Sequence, residues 1–255
     1  MFDQPGTALK RRRFGNAPRL WGLLAVALVQ GGCGESAPNP VVLPKNVVAR
    51  VGDRSIMKAT LDHWVAVEAR LSLASTPGRS LPRGLVPDPP RYHDCVIYLR
   101  SHQTDHQADT ATLEGRCRQE QSSLERQAMH VLINHYWMRG EATRKGGVEV
   151  SVDELRDAKR TGELARQLGA AGVGSADERF LIDDELLFDK LKLTLPVYAE
   201  LKRLRGPEPR WFAERVDAEL EKYNDEIKKQ WTPQTLCQIG YVTSGCVNDR
   251  AHGSR

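Results

Sequence analysis

The longest run of regularly spaced apolar positions lies near the middle of the chain, from about Thr110 to Lys145. Apolar side chains recur there every three or four residues, the spacing that places them on one face of an α-helix. Such a helix would be about 50 Å long and must pack along much of that face. The stripe consists of Leu113, Cys117, Leu124, Ala128, Val131, Leu132 and His135, with Gln121 filling the one gap.

Shorter patterns predict the elements before this helix. The β-branched run Val47–Val51 is followed by turn residues and indicates a small strand or hairpin. From Lys58 the apolar spacing becomes helical and continues to a proline-rich loop. A second, short helix is predicted over Tyr92–His102, and it carries Cys95.

Two capping motifs predict the helices after it. Ser151 with Glu154 three residues later forms the sequence of a capping box, which opens a helix through about Leu168. Ser175 and Glu178 repeat this arrangement ahead of a leucine-rich helix.

The C-terminal part begins with a proline-rich break at Gly206–Pro209. Apolar side chains then recur at helical spacing from Trp211 to Trp231, which predicts an amphipathic helix, and a β-like turn is expected around Ile239–Val242. The predicted fold class is therefore mainly α, with a small N-terminal β-hairpin and a C-terminal amphipathic helix.

The N-terminus has the pattern of an export signal. Lys10–Arg13 precede the apolar run Leu20–Val29, which is too short to span a bilayer of about 30 Å as a helix. Small residues then lead to Cys33, as in the lipobox of bacterial lipoproteins, although Gln30 stands where that pattern has leucine. The sequence predicts a signal peptide over 1–33, lipidation at Cys33 and a polar tether over 34–45.

These features predict an extracytoplasmic lipoprotein of the cell membrane, or a secreted protein if Cys33 is not acylated. The arginines at 11–13 leave both the general and the twin-arginine export routes open.

The charge balance argues against a nucleic-acid partner. The chain has 37 Lys and Arg against 33 Asp and Glu, a formal charge of +4. Residues 1–33 hold five of these cations and one acid, so 32 of each remain beyond them. A nucleic-acid-binding domain needs a basic surface, and the export signal carries the surplus here.

Four cysteines remain after Cys33, and an even number in an exported protein predicts two disulfides. Three pairings are possible. The simplest pairs Cys95 with Cys117 and Cys237 with Cys246, because each bond then closes a local loop. The spacings do not match a zinc site, and neither a metal nor a cofactor is expected.

The order of these elements resembles the N-terminal domain of exported foldases and chaperones of the SurA and PrsA type, particularly the lipoprotein forms of Actinobacteria. The resemblance covers about 47–193 and 211–248. It rests on the strand reading VVARVGDRSI, the helix beginning KATLDHW, the helix ending YWMRGEATRKGGVEVS, the helix ending DELLFDKLKL and the tail WTPQTLCQIGYVTSGCVN.

This resemblance implies a SurA-N-like helical domain over 46–206, completed by the helix and cysteine-paired tail of 207–248 and followed by a disordered tail at 249–255. It also implies that the C-terminal helix packs back on the N-terminal helices. It also implies an ATP-independent chaperone that binds unfolded or partly folded exported polypeptides. The family's parvulin isomerase domain has no room between Pro196 and Pro209, so we expect no peptidyl-prolyl isomerase activity of that kind. The alternative is an envelope lipoprotein that holds one specific protein partner.

Candidate site residues follow from the same resemblance. The aromatic side chains of Trp64, Trp137, Trp211 and Trp231 would lie on helices that the family brings together. They are either core residues or the lining of a groove for client segments. No catalytic residue is assigned, since the acidic run Asp183–Glu185 has no partner that the sequence can name. His102 and His106 have the spacing of two ligands on one helical face, but they lie in a polar segment that is better explained as a solvated loop.

Overall fold

A computed structural model describes residues 42–72, 82–102, 108–201 and 210–248. The predicted signal peptide, Cys33, His106 and the tail at 249–255 lie outside these residues. Within them the chain is mainly helical, with one small antiparallel sheet. The strands are β1 (Val47–Val51), β2 (Arg54–Met57) and β3 (Thr235–Cys237), and a 3₁₀ turn at Thr232–Gln234 precedes β3. The helices are α1 (Lys58–Ser72), α2 (His93–His102), α3 (Thr110–Arg144), α4 (Val152–Thr161), α5 (Glu163–Ala170), α6 (Ser175–Lys192), α7 (Pro196–Leu201) and α8 (Arg210–Trp231).

The sheet joins the two ends of the described chain. Its strand order is β2-β1-β3, so β1 pairs with its hairpin partner on one side and with the C-terminal strand on the other. Ala49 faces Ile56 across the hairpin and Cys237 across the second ladder. Asn248 covers the outer edge of β3, because its side chain accepts from the backbone N–H of Cys237 and donates to its carbonyl. An edge occupied in this way is protected from pairing with another strand.

Helix α3 confirms the prediction from the long apolar stripe. Asp109 caps its start by accepting the backbone N–H of Thr112 at 2.7 Å. The helix contacts α1, α2, α6, α8 and β1, which explains how a helix of this length is buried along one face. Apolar side chains from α1, α3, α6, α8, β1 and β3 form the main core of the protein. Among them are Val48, Leu61, Met129, Leu187, Phe212, Ile227 and Cys237.

Two disulfides are present, Cys95–Cys117 and Cys237–Cys246. The first fixes α2 to the N-terminal part of α3. There a small cluster of buried residues, Cys95, Val96, Leu113 and Cys117, lies apart from the main core. The second closes the loop that follows β3.

The capping box at Ser151 forms as predicted, with both of its hydrogen bonds present. Glu154 also accepts from the Lys190 ammonium of α6, Nζ to Oε2 at 2.7 Å. The contact with Lys190 and the two hydrogen bonds from Ser151 lower the pKa of Glu154 to about 2. This carboxylate therefore caps α4 and holds it against α6.

The single helix predicted from Ser151 to about Leu168 is wrong, because the chain breaks at Gly162. This residue is extended (φ −68°, ψ 145°) and ends α4 as it begins α5. A Cβ at this position would lie 2.4 Å from the carbonyl oxygen of Ala158. The close approach needs glycine, and the resulting bend lets Leu155 and Leu168 both reach Ile182 of α6.

Two further expectations are corrected. Ser175 does not cap α6, because Gly174 is the N-cap and Ser175 already lies inside the helix. The turn expected around Ile239–Val242 forms at 239–240, but the strand beside it lies earlier in the chain, at β3, which pairs with β1. Gly240 lies in this turn, with a φ of +98°.

Candidate functional site

A cleft of about 860 Å³ with both apolar and charged walls lies beside the β1–β2 turn. The turn forms one wall, the C-terminal half of α3 and the loop after it form another, and the end of α8 forms the third. Its larger apolar side chains are Tyr136, Val148 and Trp231, and its charged ones include Arg54, Arg139 and Glu149. We call this cavity the hairpin cleft.

The contact between Gly140 and Trp231 sets the depth of the hairpin cleft. A Cβ at position 140 would lie 2.1 Å from Cη2 and 2.3 Å from Cζ2 of the indole. No side chain fits there, so glycine lets the end of α8 lie directly on α3. Next to this contact, the Trp137 indole donates from Nε1 to Oγ1 of Thr235 at 2.8 Å and ties α3 to β3.

Two aspartates of α6 contact basic side chains that line the hairpin cleft. Asp184 Oδ1 lies 2.7 Å from His135 Nδ1, and Asp183 makes an ion pair with Arg139. The His135 ring also stacks on Phe180 of α6, with ring centroids 4.2 Å apart. The acidic run that had no partner in the sequence therefore orients two side chains of the cleft. Sequence spacing held no signal for these pairs, since they join residues more than forty positions apart.

A buried carboxylate lies behind the cleft, where α3 meets α8. Glu141 is fully buried, and it accepts two hydrogen bonds from the Arg144 guanidinium and one from the hydroxyl of Tyr223 at 3.2 Å. Burial opposes ionisation of Glu141, but these hydrogen bonds outweigh it and hold its pKa below the usual value. Burial and the nearby carboxylate raise the pKa of Tyr223. The network is satisfied, so it anchors α8 on α3 without leaving an unpaired charge.

The four candidate tryptophans do not line one groove. Trp64 is 4% exposed and packs on Phe180, and Trp137 is 6% exposed in the main core. Trp231 is half-buried at the hairpin cleft, whereas Trp211 is 59% exposed at the start of α8 and contacts Phe212 edge-on. In this arrangement only the last two present surface to a ligand.

The remaining chemical candidates are accounted for by local contacts. His102 stacks on Tyr98 at the end of α2, with ring centroids 4.3 Å apart. His130 contacts the Asn134 amide one turn along α3. Among the described residues, no cluster of three or more His, Cys, Asp or Glu side chains could hold a metal ion. No described helix is long and apolar enough to span a membrane.

The groups of the hairpin cleft are suited to non-covalent binding. Aromatic and aliphatic surface lies next to guanidinium and carboxylate groups, and the backbone of a tight turn forms part of the wall. Sequence analysis identified Trp231 but missed Gly140, Tyr136 and the charged wall, because these residues become neighbours only when α3, α6 and α8 pack together.

No protein-family model, curated protein or solved structure matches this chain. The likeness to SurA-type foldases therefore rests on the order and spacing of the sequence segments alone.

Proposed function

We propose that this protein is a membrane-anchored, extracytoplasmic chaperone of SurA-N-like organisation, which binds segments of unfolded exported polypeptides without ATP. The observation that carries the proposal is the hairpin cleft, whose mixed apolar and charged lining matches a polypeptide segment rather than a small apolar ligand. The lipobox-like signal ending at Cys33 supports the location. The order of the sequence segments supports the proposed SurA-N-like organisation.

The binding mode follows from the walls of the cleft. An extended segment would place an apolar side chain against Tyr136 and Trp231, since large aromatic surfaces contribute most of the energy in such contacts. The guanidinium groups of Arg54 and Arg139 would donate to backbone carbonyls or acidic side chains of the same segment. A site of this kind binds many sequences with modest affinity, as a chaperone must.

The test measures aggregation of two unrelated proteins by light scattering, with and without the full chain. The chain carries Cys33→Ser so that it is released without lipid, and it is purified in oxidised form. Suppression of both clients at near-stoichiometric ratios is the expected result. A protein that serves one specific partner would suppress neither, and that outcome would replace the chaperone proposal with the interaction-lipoprotein alternative.

A pair of variants assigns the activity to the cleft. Thr143 is exposed at the end of α3 and lines the cleft, so Thr143→Trp fills it without entering the core. Gln119→Trp adds the same side chain at an exposed position on the same helix, outside the cleft. We expect the first variant to lose suppression and the second to keep it. Equal activity in both would place client binding elsewhere.

A further inference from the structure

A separate cavity of about 550 Å³ lies between α1, α3 and the C-terminal tail, and it shares no lining residue with the hairpin cleft. Glu68 of α1 lies on one wall, Arg126 and His130 of α3 on another, and Thr243 and Ser244 of the tail on the third. A carboxylate, a guanidinium, an imidazole and hydroxyl groups therefore line one space, so a ligand there would contact charged and polar groups. We call it the tail cavity.

Glu68 is the unusual group of the tail cavity. Its side chain is half-buried, yet across the described part of the chain the carboxylate has no hydrogen-bond or ion-pair partner. Burial raises the pKa of Glu68, because the charged form loses part of its contact with water. Carboxylates in proteins are rarely taken out of water without a partner, because the desolvation cost is then uncompensated.

The wall of the tail cavity that the C-terminal tail forms is held in place by the second disulfide and by contacts with α3. The Cys237–Cys246 disulfide closes the loop, and inside it the backbone N–H of Cys246 donates to the carbonyl of Thr243 at 2.9 Å. Gly245 lets this loop lie directly on α3, because an added Cβ would be only 3.2 Å from Cγ2 of Ile133. Thr243 is consequently held buried at the cavity instead of moving with the tail.

We propose that the tail cavity binds the cationic side chain of a lysine or arginine carried by a polypeptide, with Glu68 as its counter-ion. The cation is assigned from a carboxylate that has no partner among the described residues, and its carrier, a polypeptide, rests on the proposed function. The hydroxyl of Ser244 and the amide of Gln127 line the same cavity and can bond to the backbone of the segment that carries the cation.

Arg126 does not prevent this binding. Its side chain is exposed, so water screens its charge. A half-buried carboxylate acts through less solvent and attracts a bound cation more strongly than the exposed guanidinium repels it. The exposed imidazole of His130 and the guanidinium of Arg126 are the other titratable groups among the lining residues.

The experiment uses a fluorescein-labelled heptapeptide with a central lysine flanked by valine, serine and glycine, and the same peptide with Nε-acetyl-lysine. Fluorescence anisotropy measures both dissociation constants against the oxidised, lipid-free full chain at low salt. We expect the lysine peptide to bind about tenfold more tightly, because a hydrogen-bonded charge pair is lost on acetylation. Equal affinity for the two peptides would overturn the proposal.

Three variants test the assignment. Glu68→Gln keeps the shape of the side chain and should abolish the preference for lysine. Ser244→Trp blocks the cavity from an exposed position and should do the same. Glu120→Gln changes an exposed glutamate of α3 outside the cavity and should keep the preference. A preference that survives both of the first two changes would refute the site. Competition by spermidine as effective as by the unlabelled peptide would show that the cation alone is bound, which overturns the polypeptide assignment.

The same proteins are assayed for suppression of client aggregation, which separates the two proposals. Suppression without a preference for lysine would refute the tail cavity and leave the proposed function standing. A preference for lysine that Glu68→Gln abolishes, in a protein that suppresses no aggregation, would support the tail cavity and refute the proposed function.

Discussion

The contact between Gly140 and Trp231 gives the sharpest test of how α8 lies on α3. In Gly140→Ala the new Cβ would fall 2.1 Å from Cη2, 2.3 Å from Cζ2 and 2.9 Å from Cζ3 of the indole. Carbon atoms in contact lie about 3.5 Å apart or more, so the indole must retreat by about 1.5 Å. This movement would disturb the end of α8 and the wall of the hairpin cleft.

The magnitude follows from two opposing effects. Alanine is favoured over glycine inside a helix by about 1 kcal/mol. Overpacking of this kind costs about 3 kcal/mol, the upper part of its usual range, because three ring atoms are involved. We therefore expect Gly140→Ala to lower the free energy of unfolding by about 2 kcal/mol.

Gly115→Ala is the matched control on the same helix. A Cβ at position 115 meets nothing within 4 Å, so only the helical preference acts and stability should rise by up to about 1 kcal/mol. Urea unfolding followed by far-UV circular dichroism measures both changes. In a Trp231→Ala background the clash is absent, and Gly140→Ala should then behave like the control. Equal stabilisation by both alanines in the wild-type background would refute the packing of α8 described here.

Three further outcomes are expected. Tyr223→Phe should lower the free energy of unfolding by about 1.5 kcal/mol in urea titrations at neutral pH, because buried Glu141 loses one hydrogen bond. The pKa of Glu141 is lower in the folded protein than in the unfolded chain, so its carboxylate stabilises the fold above the unfolded pKa, and this stabilisation is lost as the pH falls through the folded pKa. Tyr223→Phe should bring the folded pKa closer to the unfolded one, so acid-induced unfolding should begin at a higher pH than in the wild type. An unchanged acid-unfolding profile would contradict the network. The double change Cys95→Ala and Cys117→Ala opens a loop with a sequence separation of 22 and should lower the local stability by about 3 kcal/mol. Hydrogen exchange should become faster only in α2. Global unfolding would argue against the separate cluster of buried residues around this disulfide. Cys33→Ala should move the protein from the membrane to the soluble fraction on cell fractionation, whereas persistent membrane association would exclude the lipid anchor.

Much of the local structure was predictable because it depends on neighbours in the chain. The stripe of α3 spans ten turns, so its helical period is unambiguous and its bounds were nearly correct. The capping box at Ser151 is complete within four residues and formed as expected. The hairpin needs only a β-branched run and a two-residue turn, where Gly52 adopts a φ of +57°.

The failures arose where a distant contact outweighed a local preference. Gly162 breaks a helix that its neighbours would continue, since the bend brings two leucines onto α6. A β-like turn was expected around 239–242, but the strand of this region is β3, which precedes the turn and pairs with β1 from the other end of the described chain. Ser175 is a good cap by residue type, yet it is the first residue of the helix, and the N-cap is Gly174, one position before it.

By itself the sequence determined the helical class, the positions of most helices and the N-terminal hairpin, since each depends on periodicity or on short-range chemistry. Only the tertiary structure decided which side chains form the hairpin cleft and the tail cavity. Gly140 meets Trp231, Asp184 meets His135, and Glu68 faces the tail through contacts between elements far apart in the chain. Local spacing carries no information about such pairs, because their geometry is set by how whole helices pack.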